Sequence, residues 1–225
     1  MNNIVIDVET VPADTFMCGE VMAAIKPPAN ISKPQTIKKW WDEKGEQART
    51  EAVHALGLNP LWGKIVCVCF KLNDNPVRGF MGSEHTILTA LSAALEEELD
   101  PTSCPVQARW VGHNLHAFDL PFLRYRYMLH GLKLPVTFPK ASVRPWDTQT
   151  IFDTRVCLSG GKPTGMSLDH VRRSLGIPSS MPEVNGSQVW DMYERGQFAE
   201  IIDYCMDDVN ITSELFEKLR WYYGN

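Results

Sequence analysis

The stretch Ile4-Val5-Ile6-Asp7-Val8-Glu9-Thr10 decides how this chain folds. Its β-branched residues favour a strand. Side chains alternate between the two faces of a strand, so Asp7 and Glu9 project together and Ile4, Ile6 and Val8 project oppositely. Adjacent acids on an apolar strand repel each other and are costly to bury unless a cation lies between them. At a solvated strand end the same pair would be harmless. Taken alone, the stretch fits that second description better.

Working outward, Pro12 stops the pairing of this strand. Residues 12–63 then break the rhythm with Pro27, Pro28 and Pro34 and a polar, helix-prone segment from about 34 to 56 that carries Trp40 and Trp41. This segment has too little apolar content for a core of its own, so it reads as a partly helical insertion. Residues 64–71 and 77–82 are two further strands. The turn-forming Asn73-Asp74-Asn75-Pro76 between them makes a hairpin. Ser83 caps a helix with Ile87, Leu88, Leu91, Ala94, Leu95 and Leu99 on one side, ended by Asp100-Pro101. A strand over 107–112 and a helix over 119–130 follow, the helix ending at Gly131. Residues 132–166 are rich in proline and glycine, with a short strand or turn near 147–153. Three helices complete the chain, over 167–176, 187–195 and 197–222. Strands followed by interleaved helices predict an α/β fold, a mixed central sheet flanked by helices. Its ligands are expected at strand ends near a topological switch point. All 225 residues read as one domain, with the insertion at about 12–63.

Composition narrows the function classes. A formal net charge of −5 argues against a protein that grips long duplex DNA by counterion release. No apolar run reaches the ~20 residues of a membrane helix, and the N-terminus lacks the pattern of a signal peptide. The expected location is cytoplasmic, with no membrane partner. Cys18, Cys67, Cys69, Cys104, Cys157 and Cys205 show no Cys-x-x-Cys spacing. Cys67 and Cys69 share one strand face and cannot easily bridge. The six read as reduced thiols packing as small apolar residues, not as a disulfide or zinc framework.

Two more segments carry acids in suggestive positions. In His113-Asn114-Leu115-His116-Ala117-Phe118-Asp119, Asp119 opens a helix with Pro121 close behind, and on local grounds it reads as an N-cap. On the terminal helix Tyr204 and Asp208 are four residues apart and share one face, while Asp207 points elsewhere. Asp208 lies beside an apolar stripe of Ile201, Ile202, Cys205, Val209 and Leu215, so it needs either a metal or a hydrogen bond such as one from Tyr204.

Asp7-x-Glu9, Asn114-x-x-x-Phe118-Asp119 and Tyr204-x-x-x-Asp208, in that order, resemble the three motifs of the DnaQ-like exonuclease superfamily, in its subgroup with four acids and a tyrosine (DEDDy). The histidine subgroup carries a His five residues before the last acid, where this chain has Asp203. The resemblance is closest to predicted exonucleases related to the proofreading domain of family B DNA polymerases, and it extends over residues 167–178 and 186–209. It implies a ribonuclease H-like fold and a 3′→5′ exonuclease. It also implies two divalent cations, Mg²⁺ or Mn²⁺, held by Asp7, Glu9, Asp119 and Asp208, with Tyr204 orienting the attacking water. An all-oxygen donor set suits these hard cations. Thr10, Val11, Asn114 and Phe118 would contact the terminal nucleotide, Phe118 by stacking. The same Phe118 fits plain core packing equally well. His113 and His116 read as a loop histidine and a solvent-facing one. Arg124, Arg126, Arg172 and Arg173 read as solvated helix-surface residues. The implied substrate is the 3′ end of single-stranded DNA, cleaved to nucleoside 5′-monophosphates, with RNA as the alternative. A non-catalytic nucleic-acid-binding subunit is the rival reading, and a replication or repair protein acting in trans is an expected partner.

Overall fold

A computed structural model describes residues 1–13, 15–99, 108–144, 147–160, 162 and 166–223 of the chain. Asp100-Pro101, Cys104 and Gln107, named above, lie outside these residues. Five strands form one sheet: β1 (Asn2–Pro12), β2 (Gly63–Leu72), β3 (Arg78–Met81), β4 (Ala108–Gly112) and β5 (Ile151–Asp153). Their order is β3-β2-β1-β4-β5. β1 pairs antiparallel with β2 and parallel with β4, and β4 pairs parallel with β5. The sheet is therefore mixed, as expected, and the expected hairpin is the antiparallel β2–β3 pair.

Helices cover both faces. On one side lie α3 (Glu84–Glu98) and α4 (Asp119–Leu129). They close a core over Ile4, Ile6 and Val8 of β1. On the other side lie α6 (Leu168–Leu175), α7 (Val189–Glu194) and α8 (Phe198–Tyr223), packed on Val5, Cys67, Cys69 and Val111. Asp7 and Glu9 point to this second side. The local signals set the helix ends: Ser83 Oγ accepts from Thr86 N at 3.2 Å, and Ser167 Oγ accepts from His170 N at 3.3 Å. Gly176 closes α6 in a left-handed conformation with φ 67°, which a residue with a Cβ resists.

Between β1 and β2 run α1 (Thr15–Ala24) and α2 (Pro34–Gly57). α1 was not anticipated. It buries none of its residues, so periodicity carried no signal. Also unanticipated was α5 (Thr154–Ser159), too short to show a repeat. On α2, Trp41 lies along its own helix, over Gly45 and under the guanidinium of Arg49 at 5.0 Å.

Two readings of charged residues are corrected. Arg126 and Arg172 are buried, not solvated. Arg126 grips Glu84 through two bonds of 2.8 and 2.6 Å, and Arg172 pairs with Asp169 at 2.6 Å. Glu84 also accepts from Ile65 N at 2.7 Å and lies 2.7 Å from His130 Nε2. Burial alone would push Glu84 upward, but the bonds from Arg126, His130 and the Ile65 amide hold its carboxyl below the usual range. This knot ties α3, α4 and β2 together.

Candidate active site

β1 is the central strand, and two irregularities make its second half available. Its parallel pairing with β4 stops at Val5–Val111. Its pairing with β2 shifts between Glu9 and Thr10, where Val66 forms a bulge. Past Val111 the chain turns over Asn114, which adopts a left-handed φ of 71° that asparagine tolerates better than most residues. The turn delivers Asp119 to the open side of β1. Asp119 is not the cap of α4. That position belongs to Phe118, whose side chain caps nothing. The buried Asp119 carboxylate instead faces β1, close enough to Asp7 and to the backbone at Val8 for both to act on its titration.

From the opposite side, α8 brings Tyr204 and Asp208 over the same strand. The two lie on one helical face, close enough for each to act on the other's titration. The preceding residue, Asp207, turns instead toward Ser179 and Ser180. It accepts from Ser179 Oγ at 2.6 Å and from the amide and hydroxyl of Ser180 at 3.0 and 2.8 Å.

Four carboxylates thus converge, and their titration reflects it. Burial, opposed in part by a Cys205 hydrogen bond, pushes Asp7 up to about 6. Burial and then the charge of Asp7 push Asp208 up to about 8. Glu9 is raised by burial, then by Asp7, Asp208 and Asp119, and Asp119 by burial and then Asp7. Burial and the neighbouring Asp208, Glu9 and Asp7 likewise raise the Tyr204 hydroxyl, so it stays protonated and can donate. Shifts of this kind in a cluster mark a site built to hold positive charge. The donor set is oxygen-rich and self-repelling, which fits hard divalent cations. One thiol intrudes: ligand atoms of Asp7, Glu9 and Cys205 all lie within 4.8 Å of one another.

Two cavities meet at Gly186. One, of about 440 Å³, reaches Asp208 and is lined by Arg172, His170 and Asn185 among others. The other, of about 370 Å³, lies between Thr10, α2 and Trp190. Gly186 borders both, and a Cβ there would lie 3.9 Å from the Tyr204 hydroxyl.

Thr10 lines the second cavity, with its hydroxyl bonded to Gly57 O at 2.7 Å. Val11 does not; its side chain is buried in the core beneath α8. Asn114 Oδ1 accepts from Arg155 Nη1 at 3.0 Å. Phe118 is partly buried and stacks at a tilt on Phe122, with centroids 5.6 Å apart. Neither histidine of the turn behaves as expected of a solvent-facing residue. His113 is held at 2.9 Å by Thr154 Oγ1 and at 2.8 Å by Met166 O. His116 Nε2 is buried without a partner among the described residues.

Asp153 is the residue that sequence reasoning missed. It is buried at the end of β5, caps α5 through the amides of Arg155 and Val156, and accepts from Asn114 N at 3.1 Å and His116 N at 2.9 Å. It therefore holds the turn that presents Asp119. Its sequence signal was an aspartate directly ahead of a short helix.

Residues 101–225 match the family described as a predicted 3′–5′ exonuclease related to the exonuclease domain of PolB. The chain belongs to this family. An uncharacterized protein of Methanocaldococcus jannaschii is 29% identical over 175 residues, covering 74% of this chain and 92% of that protein. The family B DNA polymerase of the hyperthermophilic archaeon Pyrobaculum calidifontis superposes with a TM-score of 0.60 at 16% identity, over 97% of this chain. This chain spans 24% of that polymerase chain. The likeness is one of fold, which is ribonuclease H-like. Among the described residues no helix is long and apolar enough to cross a membrane.

Proposed function

We propose that this member of the family hydrolyses phosphodiester bonds at the 3′ end of single-stranded DNA and releases nucleoside 5′-monophosphates. The observation that carries the reading is the convergence of Asp7, Glu9, Asp119 and Asp208 beside a protonated Tyr204. Two divalent cations, Mg²⁺ or Mn²⁺, would be held by these four carboxylates and would supply an activated water and charge stabilisation of the departing 3′ oxygen. The chain's own groups do the rest. Tyr204, beside Asp208 on α8, would donate its single hydroxyl proton in a hydrogen bond that orients the attacking water once Asp208 is engaged by a cation. Thr10 offers its backbone and one wall of a cavity to the terminal nucleotide. Val11 can contribute only its backbone. Asn114 would meet the sugar–phosphate backbone and the exposed part of Phe118 a base. Asp153 positions Asn114 and Asp119 without touching substrate. The whole chain acts as one exonuclease domain, with residues 12–63 as an insertion whose helix α2 walls the Thr10 cavity. The acidic surface, net −5, suits a short strand end better than a long duplex.

The test is a 5′-labelled single strand incubated with Mg²⁺ or Mn²⁺. The expected result is a ladder of shortening labelled products, abolished by EDTA and by Asp7→Ala or Asp208→Ala. A single internal cut would refute exonuclease action. A matched RNA strand degraded faster than the DNA would move the substrate to RNA.

A further inference from the structure

We propose that Cys67, Cys69 and Cys205 form a second, thiolate-preferring metal site of the Zn²⁺ class directly behind the carboxylate cluster. Asp7, 3.4 Å from Cys205, would turn toward the ion as its fourth ligand, so filling the site draws a carboxylate away from the first one. The inhibitory half of this inference rests on the exonuclease reading; the binding half does not.

The three thiols are placed by regular structure. Cys67 and Cys69 are two residues apart on β2 and point to the α8 side. They stand directly across the ladder from Glu9 and Asp7 respectively. Cys205 follows Tyr204 on α8 and descends between them. All three are fully buried, and their sulfurs lie within 4.8 Å of one another. Room for Cys69 is made by Gly79 on β3, where an added Cβ would come within 3.0 Å of the sulfur and 2.9 Å of Ile202.

The separations suit a metal. A zinc–sulfur bond of about 2.3 Å at the tetrahedral angle puts two sulfurs about 3.8 Å apart, and a sulfur and a carboxylate oxygen about 3.5 Å apart. Cys67 Sγ and Cys69 Sγ are 3.8 Å apart, and Cys205 Sγ is 3.4 Å from Asp7 Oδ2. As thiols, the same groups are joined only by weak S–H bonds, with Cys69 reaching Ile202 O at 3.9 Å. A soft divalent cation would replace three thiol protons, which leave to solvent, and would bind the three thiolates where they stand; the Asp7 carboxylate, which groups with Glu9 and Cys205, would rotate toward it to complete the set. Thiolates select such ions over Mg²⁺, and the acids above select the reverse. Asp7 is the partly exposed member of the set and opens the way in. The cysteines therefore exceed the apolar packing role that their sequence context implied.

The experiment titrates Co²⁺, then Zn²⁺, into the reduced, EDTA-stripped full-length protein. The expected result is a sulfur-to-cobalt charge-transfer band that saturates at one equivalent and is displaced by Zn²⁺. Cys69→Ala and Cys67→Ala should lose the band while keeping a native circular dichroism spectrum. Asp208→Asn should keep it. With Mg²⁺ in excess, one equivalent of Zn²⁺ should slow oligonucleotide hydrolysis by about 10- to 100-fold, the loss typical of disturbing a metal's ligand shell. In Cys69→Ala, measured against its own zinc-free rate, that inhibition should vanish. A folded wild-type protein without the band, or a band that survives both cysteine substitutions, overturns the site. A band that forms as predicted in a protein that shortens no oligonucleotide leaves the thiolate site standing and refutes the exonuclease reading instead.

Discussion

Asp208→Asn in the metal-free protein should make it more stable, although it removes a residue of the proposed active site. The carboxyl of Asp208 is pushed from its ordinary 3.8 up to about 8, by burial first and by Asp7 second. A raised acid makes the folded state bind more protons than the unfolded chain, so stability falls as pH rises through the window from about 4 to about 8. At about 1.4 kcal/mol for each tenfold change, the full shift corresponds to about 5–6 kcal/mol lost at and above pH 8. Relaxation and water entry reduce this, and asparagine should recover about 1–2 kcal/mol, or roughly 2–8 °C in a chain of this length. Thermal melts in EDTA at pH 5 and pH 8 read it directly. The variant should melt higher than wild type at pH 8 and equal to it near pH 5, where Asp208 is already protonated. Added Mg²⁺ or Mn²⁺ should then raise wild type and leave the variant nearly unmoved. A variant that melts lower at pH 8, or a difference independent of pH, would refute the account of the site as a metal-free store of repulsion.

Three further outcomes follow from the same geometry. Tyr204→Phe should lower the hydrolysis rate by about 10- to 100-fold while the Mg²⁺-dependent rise in Tm persists, since in the proposed mechanism the hydroxyl orients water and does not bind the ion. Asp153→Ala leaves the amides of Asn114, His116, Arg155 and Val156 without their acceptor and should cost about 2–4 kcal/mol in urea melts, together with most of the activity. Glu84→Gln should cost about 3–5 kcal/mol at pH 7 by leaving Arg126 buried without its partner. Because Glu84 titrates below the ordinary range, wild type should lose this advantage as pH falls through the folded value, and the two proteins should converge at low pH.

What could be read in advance was local. Ser83 and Ser167 announce helices because a cap acts within three residues, and Asp7 with Glu9 share a face because strand geometry leaves no alternative. Asp119 could not be separated from a cap, since the acid it faces, Asp7, lies more than a hundred residues earlier. The burial of Arg126 depends on Glu84 in another helix, and the Val66 bulge on a register that only pairing sets. The helix α1 buries nothing and therefore left no periodic trace. Cys67 and Cys69 were correctly seen on one face, but Cys205, from the far end of the chain, was needed to turn a pair into a triad.

The distance along the chain between the parts of the cluster has a consequence for biosynthesis. Asp7 and Glu9 leave the ribosome first, Asp119 midway, and Tyr204 with Asp208 on the helix that begins at Phe198. The contact between Cys205 and Asp7 spans 198 positions. A nascent chain therefore carries an incomplete carboxylate set until α8 has emerged and docked. On the function proposed above, hydrolysis would therefore wait until α8 has docked against β1.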